Sequence, residues 1–248
     1  SAEDFENQIS YIKERGYKSI SLDDLRDYYD NGVNLPKKSV LITFDDGLEG
    51  VYKFAYPILK KYETLYQKNR KLVGWLKIEA CGIDYPVMQT TNNEYYLDHN
   101  YNQEYDKNGS LFMDKDCDAA FPGDNTIIYG HHMKSGKMFG KLNYYAKKSF
   151  WEENPTFTFD TIYETGIYEV MYVFRSRIYS EEEIVFKYYQ FLDATSSDEF
   201  YSNMESMAEM SLYDTGVEAK YGDKLITLST CDSSEEDGRF VVVARKIS

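Results

Sequence analysis

The fold is decided by the C-terminal stretch Lys224-Leu-Ile-Thr-Leu-Ser-Thr-Cys231, a short acidic loop, and Gly238-Arg-Phe-Val-Val-Val-Ala-Arg-Lys-Ile247. Two apolar, β-branched runs on either side of a polar loop predict a strand–loop–strand unit. Cys231 ends the first run and Arg239 opens the second, so the unit can place a thiol and a guanidinium side by side at the mouth of a sheet. A nucleophilic cysteine also needs a base, which another part of the chain must supply.

The composition indicates a β-rich globular protein. The 248 residues include 25 Tyr, 14 Phe and 2 Trp, and aromatic side chains pack well on pleated strands. A formal net charge of −14 would repel phosphate backbones, so we expect no nucleic-acid partner. No apolar run reaches the roughly 18 residues that a transmembrane helix requires.

Six further segments predict strands, at residues 71–78, 83–89, 110–113, 125–129, 156–162 and 167–177. The last two flank Glu164-Thr-Gly166, which is a hairpin signal. The capping box Ser196-Ser-Asp-Glu199 predicts a helix that packs through Phe200, Met204 and Met207. With the terminal pair these segments make eight strands, and we expect a closed β-barrel with peripheral helices because closure removes exposed edges.

His131 is the candidate base for Cys231, since the pKa of histidine lies closest to neutrality. It follows the apolar run 125–129 and Gly130, so it lies at a strand end, where side chains project over a barrel mouth. Arg239 can reach the same mouth and bind the anion that forms when a carbonyl is attacked. Its charge would also favour the thiolate over the thiol. We therefore expect Cys231, His131 and Arg239 to form one site.

The other histidines and cysteines have simpler interpretations. His132 follows His131 directly and should point elsewhere, and His99 lies in a polar, tyrosine-rich loop. Cys81 and Cys117 are far from each other and from Cys231, and no Cys-x-x-Cys spacing indicates a zinc site or a disulfide scaffold. We expect Cys81 and Cys117 to be small core residues.

Several ordered motifs over about residues 62–248 resemble those of class B sortases. They are Leu72-Val-Gly-Trp-Leu-Lys-Ile, Ile83-Asp-Tyr-Pro-Val-Met-Gln, Asn125-Thr-Ile-Ile-Tyr-Gly-His131-His-Met, Gly136-Lys-Met-Phe-Gly-Lys-Leu142, Thr227-Leu-Ser-Thr-Cys231 and Arg239-Phe-Val-Val-Val-Ala-Arg. Any one alone would be weak, but their shared order makes the resemblance specific. It implies that residues 63–248 form a sortase catalytic domain with a closed eight-stranded sortase-type β-barrel.

The resemblance implies a cysteine transpeptidase. Such an enzyme cleaves a C-terminal sorting motif after Thr through a thioester and transfers the protein to an amine of the cell wall or a pilin. Carried over by position, Cys231 is the nucleophile, His131 the general acid/base, and Arg239 the oxyanion stabiliser. The candidate substrate-binding residues are Ser229, Thr230 and Asp232. This chemistry needs no metal or other cofactor, and the motif stays open between an Asn-Pro type and a Pro-x-Thr-Gly type.

The same resemblance implies a location and partners. Sortases of this class act on the outer face of the cell membrane in Gram-positive bacteria. The sequence begins with Ser1 rather than Met, and we expect a membrane anchor upstream of it. The expected partners are surface proteins that carry a sorting signal and an amine acceptor from peptidoglycan or a pilin.

About residues 3–62, within an expected N-terminal domain of residues 1–62, resemble the first part of a polysaccharide deacetylase. The similarity lies in Gly16-Tyr, Ser21-Leu-Asp-Asp-Leu, Leu35-Pro-Lys-Lys-Ser and Thr43-Phe-Asp45-Asp46-Gly. That family uses the first aspartate as base and the second, with two histidines spaced His-x-x-x-His, to bind a divalent metal. No histidine here has that spacing, and two neighbouring carboxylates make a weak zinc site. We expect a truncated, inactive α/β appendage in which Asp45 and Asp46 form a turn or cap.

Two other functions remain open at this point. The first is metal-dependent carbohydrate deacetylation through Asp45 and Asp46. The second is a non-catalytic wall-binding module that keeps the shape of a sortase.

Overall fold

The computed structural model describes residues 11, 15–20, 22–41, 65–66, 68–161 and 164–248. The chain divides into two compact units, Ser1–Tyr52 and Lys53–Ser248. The domain boundary predicted at residue 62 and the predicted turn at Asp45 and Asp46 lie outside the described residues. The assignment of a deacetylase-like and a sortase-like domain therefore stays a prediction.

The first unit contains a small α/β element. Strand β1 (Lys18–Ser19) pairs in parallel with β2 (Ser39–Val40), and helix α1 (Leu22–Asn31) connects them. Gly32 follows the helix with φ of 67°, a left-handed conformation that glycine adopts at helix C-termini without steric cost. A parallel pair joined by a helix is a β/α unit, as the sequence predicted for the described part of this segment.

The second unit is built on a closed barrel of eight strands. They are β3 (Leu72–Ile78), β4 (Ile83–Met88), β5 (Leu111–Met113), β6 (Asn125–Tyr129), β7 (Thr156–Thr161), β8 (Ile167–Arg177), β9 (Leu225–Cys231) and β10 (Gly238–Lys246). Their order around the barrel is β10-β8-β7-β3-β4-β5-β6-β9. The mainly β fold class and the closed eight-stranded barrel predicted from the sequence are both confirmed.

The pairing of β6, β9 and β10 sets the position of the candidate site. Strands β6 and β9 run parallel, with Tyr129 opposite Ser229. Strands β9 and β10 run antiparallel, with Cys231 opposite Arg239. The C-terminal ends of β6 and β9 and the start of β10 therefore meet at one edge of the barrel.

The strands of this region are buried on both faces. One face of β10 packs inside the barrel, where Phe240 and Val242 are fully buried. The other face, with Val241, belongs to a second core cluster that includes Phe200 and Met207. Burial on both sides explains why the terminal strands are continuous apolar runs rather than alternating ones.

Outside the barrel, the described part of this unit includes the α-helices α2 (Lys148–Glu153) and α3 (Ser197–Met210). The N-cap predicted for α3 is present, because Ser196 Oγ accepts a hydrogen bond from the Glu199 amide at 3.2 Å. The Glu199 carboxylate, however, accepts from the amide of Thr195 at 2.9 Å instead of completing the box at Ser196. Among the helices that the structure describes, none is long and apolar enough to cross a membrane.

Candidate active site

Three strand ends bring Cys231, His131 and Arg239 to one cleft. Cys231 is the exposed last residue of β9, and Arg239 lies opposite it on β10. Tyr129 is opposite Ser229 in the parallel pair β6 and β9. His131 and Cys231 each lie two residues beyond this pair, so they reach the same edge of the barrel. All three side chains line a cleft of about 270 Å³. The structure thus brings together the three residues that the sequence singled out.

The ring of His131 is oriented by the loop that precedes β5. Its Nε2 atom lies 2.6 Å from the carbonyl oxygen of Leu97. A carbonyl can only accept a hydrogen bond, so Nε2 carries the proton and Nδ1 is the basic nitrogen of the neutral ring. Leu97 ends the short 3-10 turn Tyr95–Leu97, in which its amide donates to the carbonyl oxygen of Glu94 at 3.0 Å. The loop therefore selects the tautomer in which Nδ1 can accept a proton.

The guanidinium of Arg239 is held by the backbone of its own turn. Its Nη1 atom donates to the carbonyl oxygens of Gly238 at 2.9 Å and Asp237 at 3.1 Å. Neither acceptor is charged, so these bonds do not neutralise the guanidinium. A guanidinium has five N–H donors, which leaves donors for an anion in the cleft.

Ser229 and Thr230, predicted as substrate-binding residues, line the cleft but are almost fully buried. Ser229 Oγ is hydrogen-bonded to the hydroxyl of Tyr188 at 2.7 Å. Thr230 Oγ1 donates to the carbonyl oxygen of Gly130 at 2.7 Å, which ties β9 to the residue before His131. Burial raises the pKa of Tyr188 to about 12, so its hydroxyl stays neutral. The hydroxyls of Ser229 and Thr230 therefore stabilise the packing of β9 at the base of the cleft.

Asp232, the third predicted substrate-binding residue, is paired with Arg175. The Arg175 Nε atom lies 2.8 Å from Asp232 Oδ2, and the Ser234 amide donates to Oδ1 at 2.9 Å. Burial alone would raise the pKa of this carboxyl, but the hydrogen bonds from Ser234 and Arg175 outweigh it and lower the pKa below its usual value. Asp232 is thus an ionised anchor of the loop that follows Cys231.

The remaining histidines have separate contacts. His132 Nδ1 lies 3.0 Å from the carbonyl oxygen of Cys231, so this ring donates to the backbone of the residue that carries the thiol. His99 stacks on Tyr95 at 4.1 Å between ring centroids, and its Nδ1 lies 2.7 Å from an Asp98 carboxylate oxygen.

The other two cysteines are chemically distinct from Cys231. Cys81 is fully buried and Cys117 is half-buried, whereas Cys231 is exposed. Burial raises the pKa of the Cys81 thiol to about 12 and that of Cys117 to about 11. Within the described ranges, no group of three or more His, Cys, Asp and Glu side chains is arranged to hold a metal ion.

Three contributors to the site were not found from the sequence, namely Leu97, Tyr188 and Arg175. Leu97 acts through its backbone carbonyl, which carries no residue-specific signal. Tyr188 lies 41 positions before Ser229, in the short 3-10 turn Tyr188–Gln190. Only the pairing of β8 with β10, which places Arg175 opposite Phe240, could have indicated that Arg175 lies near this edge.

Comparisons with known proteins identify the family. Residues 76–247 match the family model described as the sortase domain. The chain belongs to the sortase family. Sortase B of Listeria monocytogenes is 36% identical over 189 residues, which cover 74% of this chain and 73% of that protein. The crystal structure of sortase B from Bacillus anthracis in complex with AAEK1 superposes with a TM-score of 0.68 at 36% identity, covering 76% of this chain and 85% of that chain.

These similarities confirm the predicted resemblance to class B, and this sortase is an enzyme of that class. A second, short similarity concerns poly-beta-1,6-N-acetyl-D-glucosamine N-deacetylase of Staphylococcus aureus. It is 44% identical over 63 residues, which cover 25% of this chain and only 21% of that protein. Because the match covers only a short part of that protein, it does not show deacetylase activity for this chain. Asp45 and Asp46 lie outside the residues that the structure describes.

Proposed function

We propose that this class B sortase cleaves a C-terminal sorting motif after Thr through a thioester on Cys231 and transfers the protein to an amine of the cell wall or a pilin. The observation that carries the proposal is the register of β6, β9 and β10, which brings His131 and Arg239 to the same cleft as the thiol. Membership of the sortase family supports the reaction class.

In the first half-reaction the Cys231 thiolate attacks the Thr carbonyl carbon, after His131 has taken the thiol proton. A carbon–sulfur bond forms and the carbonyl oxygen becomes an oxyanion, which the Arg239 guanidinium stabilises. The carbon–nitrogen bond then breaks, and His131 gives its proton to the leaving amine. The products are a thioester on Cys231 and a free C-terminal peptide.

In the second half-reaction an amine attacks the thioester carbonyl. His131, now neutral, accepts the proton that the amine loses as the new carbon–nitrogen bond forms. Arg239 stabilises the second oxyanion. The carbon–sulfur bond breaks, the thiolate is released, and the protonated His131 beside it restores the starting pair.

The substrates follow from this reaction. The donor is a surface protein with a sorting signal, of either the Asn-Pro type or the Pro-x-Thr-Gly type. The acceptor is an amine of peptidoglycan or a pilin lysine. We place the enzyme on the outer face of a Gram-positive cell membrane, where both substrates meet.

The test uses fluorogenic peptides of both motif types with and without an added amine. Cys231→Ala should abolish cleavage, whereas the matched control Cys117→Ala should retain it because that half-buried thiol lies outside the cleft. Arg239→Gln should lower kcat by about 10²- to 10³-fold, the range seen when one oxyanion donor is removed. Full cleavage by Cys231→Ala would refute the proposal.

A further inference from the structure

A second pocket is rich in positive charge and is lined by His132, the residue that follows the cleft residue His131. It has a volume of about 480 Å³ and is lined by Lys107, Asn108, His132, Met133, Lys134, Ser135 and Lys137. We call it the basic pocket. Three ammonium groups in one pocket are unexpected for a chain in which 42 acidic residues outnumber 28 basic ones.

The positive charge of the basic pocket is only partly offset. None of its three lysines forms a salt bridge with any residue in the described part of the chain. The carboxylate of Asp106 interacts electrostatically with Lys137 and Lys107, and its Oδ1 accepts hydrogen bonds from the amide and the side chain of Asn108 at 2.9 and 2.7 Å. Those bonds, with smaller contributions from Lys137 and Lys107, lower the pKa of Asp106. One carboxylate against three ammonium groups leaves a positive excess that attracts an anion.

Backbone hydrogen bonds close the turn that forms one wall of the basic pocket. The Phe139 amide donates to the carbonyl oxygen of His131 at 3.0 Å, and the Gly136 amide donates to that of Met133 at 2.9 Å. Residues 131–139 therefore form a compact turn that begins at the candidate catalytic histidine. Lys134 and Lys137 are exposed residues of this turn, so the fold fixes the positions of their backbone atoms relative to His131.

His132 joins the basic pocket to the thiol. Its ring lines the pocket, and its Nδ1 lies 3.0 Å from the carbonyl oxygen of Cys231. Its neighbour His131 lines the cleft instead. A molecule in the basic pocket would thus lie one residue from the group that must deprotonate the attacking amine.

We propose that the basic pocket binds an anionic group, a carboxylate or a phosphate, of the amine acceptor. This inference rests on the proposed transpeptidation, because it concerns the second substrate of the same site. The donor peptide must occupy the cleft that holds Cys231, whereas the acceptor has to enter beside His131. A negative charge near the acceptor amine would be held by Lys107, Lys134 and Lys137 and would direct the amine to the thioester.

The test compares triglycine, which has a free carboxylate, with triglycine carboxamide as acceptors. For the unaltered enzyme we expect the acceptor KM to be about 3- to 30-fold lower for the acid, the combined effect of up to three exposed charge pairs. The triple variant K107Q/K134Q/K137Q should raise the KM of the acid to that of the amide. The rate of peptide cleavage without acceptor should not change. The matched control K147Q/K148Q/K220Q removes three exposed charges elsewhere and should keep the preference for the acid.

Added inorganic phosphate distinguishes the two anions. If phosphate raises the acceptor KM in the unaltered enzyme but not in the triple variant, the pocket takes phosphate as well. If phosphate has no effect while the acid is preferred over the amide, the pocket takes a carboxylate. Equal KM values for acid and amide together with no effect of phosphate would overturn the inference, even where Cys231-dependent cleavage is intact. Loss of cleavage in the Cys231 variant alone bears on the proposed function and not on the pocket.

Discussion

Replacing Tyr188 with Phe removes a single hydroxyl from beneath the cleft. That hydroxyl is 2.7 Å from Ser229 Oγ, and both residues are at most 1% exposed. After the change the Ser229 hydroxyl is buried without this partner, which costs about 1–3 kcal/mol. Ser229→Ala should cost a similar amount because it leaves the Tyr188 hydroxyl unpaired. The double variant loses both polar groups together, so it should be about as stable as either single variant.

The measurement is the free energy of unfolding from urea titrations of all four proteins. Tryptophan fluorescence reports on the barrel unit alone, because the two tryptophans, Trp75 and Trp151, both lie in it. Tyr201→Phe is the matched control: Tyr201 is 49% exposed, and its loss should change stability by less than about 0.5 kcal/mol. Strict additivity of the two single changes would show that the two hydroxyls do not stabilise each other, since the effects of independent groups add and those of paired groups do not.

Two other predictions follow from the charges and thiols of the barrel unit. Iodoacetamide at neutral pH should label Cys231 and spare the buried Cys81 and the half-buried Cys117, because burial raises the pKa of both of these thiols. Peptide mapping that finds equal labelling of all three would contradict the structure. Arg175→Gln should lower stability at pH 7 by about 0.2–1 kcal/mol, because Arg175 is 42% exposed and solvent screens the pair. The folded pKa of Asp232 is lowered, so the stabilisation exists above the unfolded pKa of about 3.9 and is lost as the pH falls through the folded value. The urea midpoints of the two proteins should therefore converge as the pH is lowered below the unfolded pKa, and a difference that stays constant at low pH would count against the ion pair.

Local patterns were sufficient to predict most of the barrel. The β-branched runs of β9 and β10 and the turn at Glu164-Thr-Gly166 are each defined by a few neighbouring residues. Each strand is therefore predicted close to its observed bounds. The sequence also predicted that Cys231, His131 and Arg239 meet, because each lies next to a strand end. The register that makes them meet, Tyr129 opposite Ser229, is a long-range parallel pairing that no local pattern encodes.

The finer structure of the site could not be predicted for the same reason. The contact from Arg175 to Asp232 joins residues 57 positions apart, and the Leu97 carbonyl that orients His131 is 34 positions away. Ser229 was expected to contact substrate, and its burial against Tyr188 depends on how the segment after β8 packs over β9. The basic pocket likewise forms only when Lys107 and the turn at Lys134 are brought together by the fold.

The nucleophilic role of Cys231 is tested most directly by intact-protein mass spectrometry after incubation with sorting peptides of both motif types and no amine. We predict an adduct with the mass of the peptide fragment up to Thr, released by hydroxylamine, present in Cys117→Ala and absent from Cys231→Ala. An adduct that persists in Cys231→Ala, or the absence of any adduct with every peptide of both types, would contradict it.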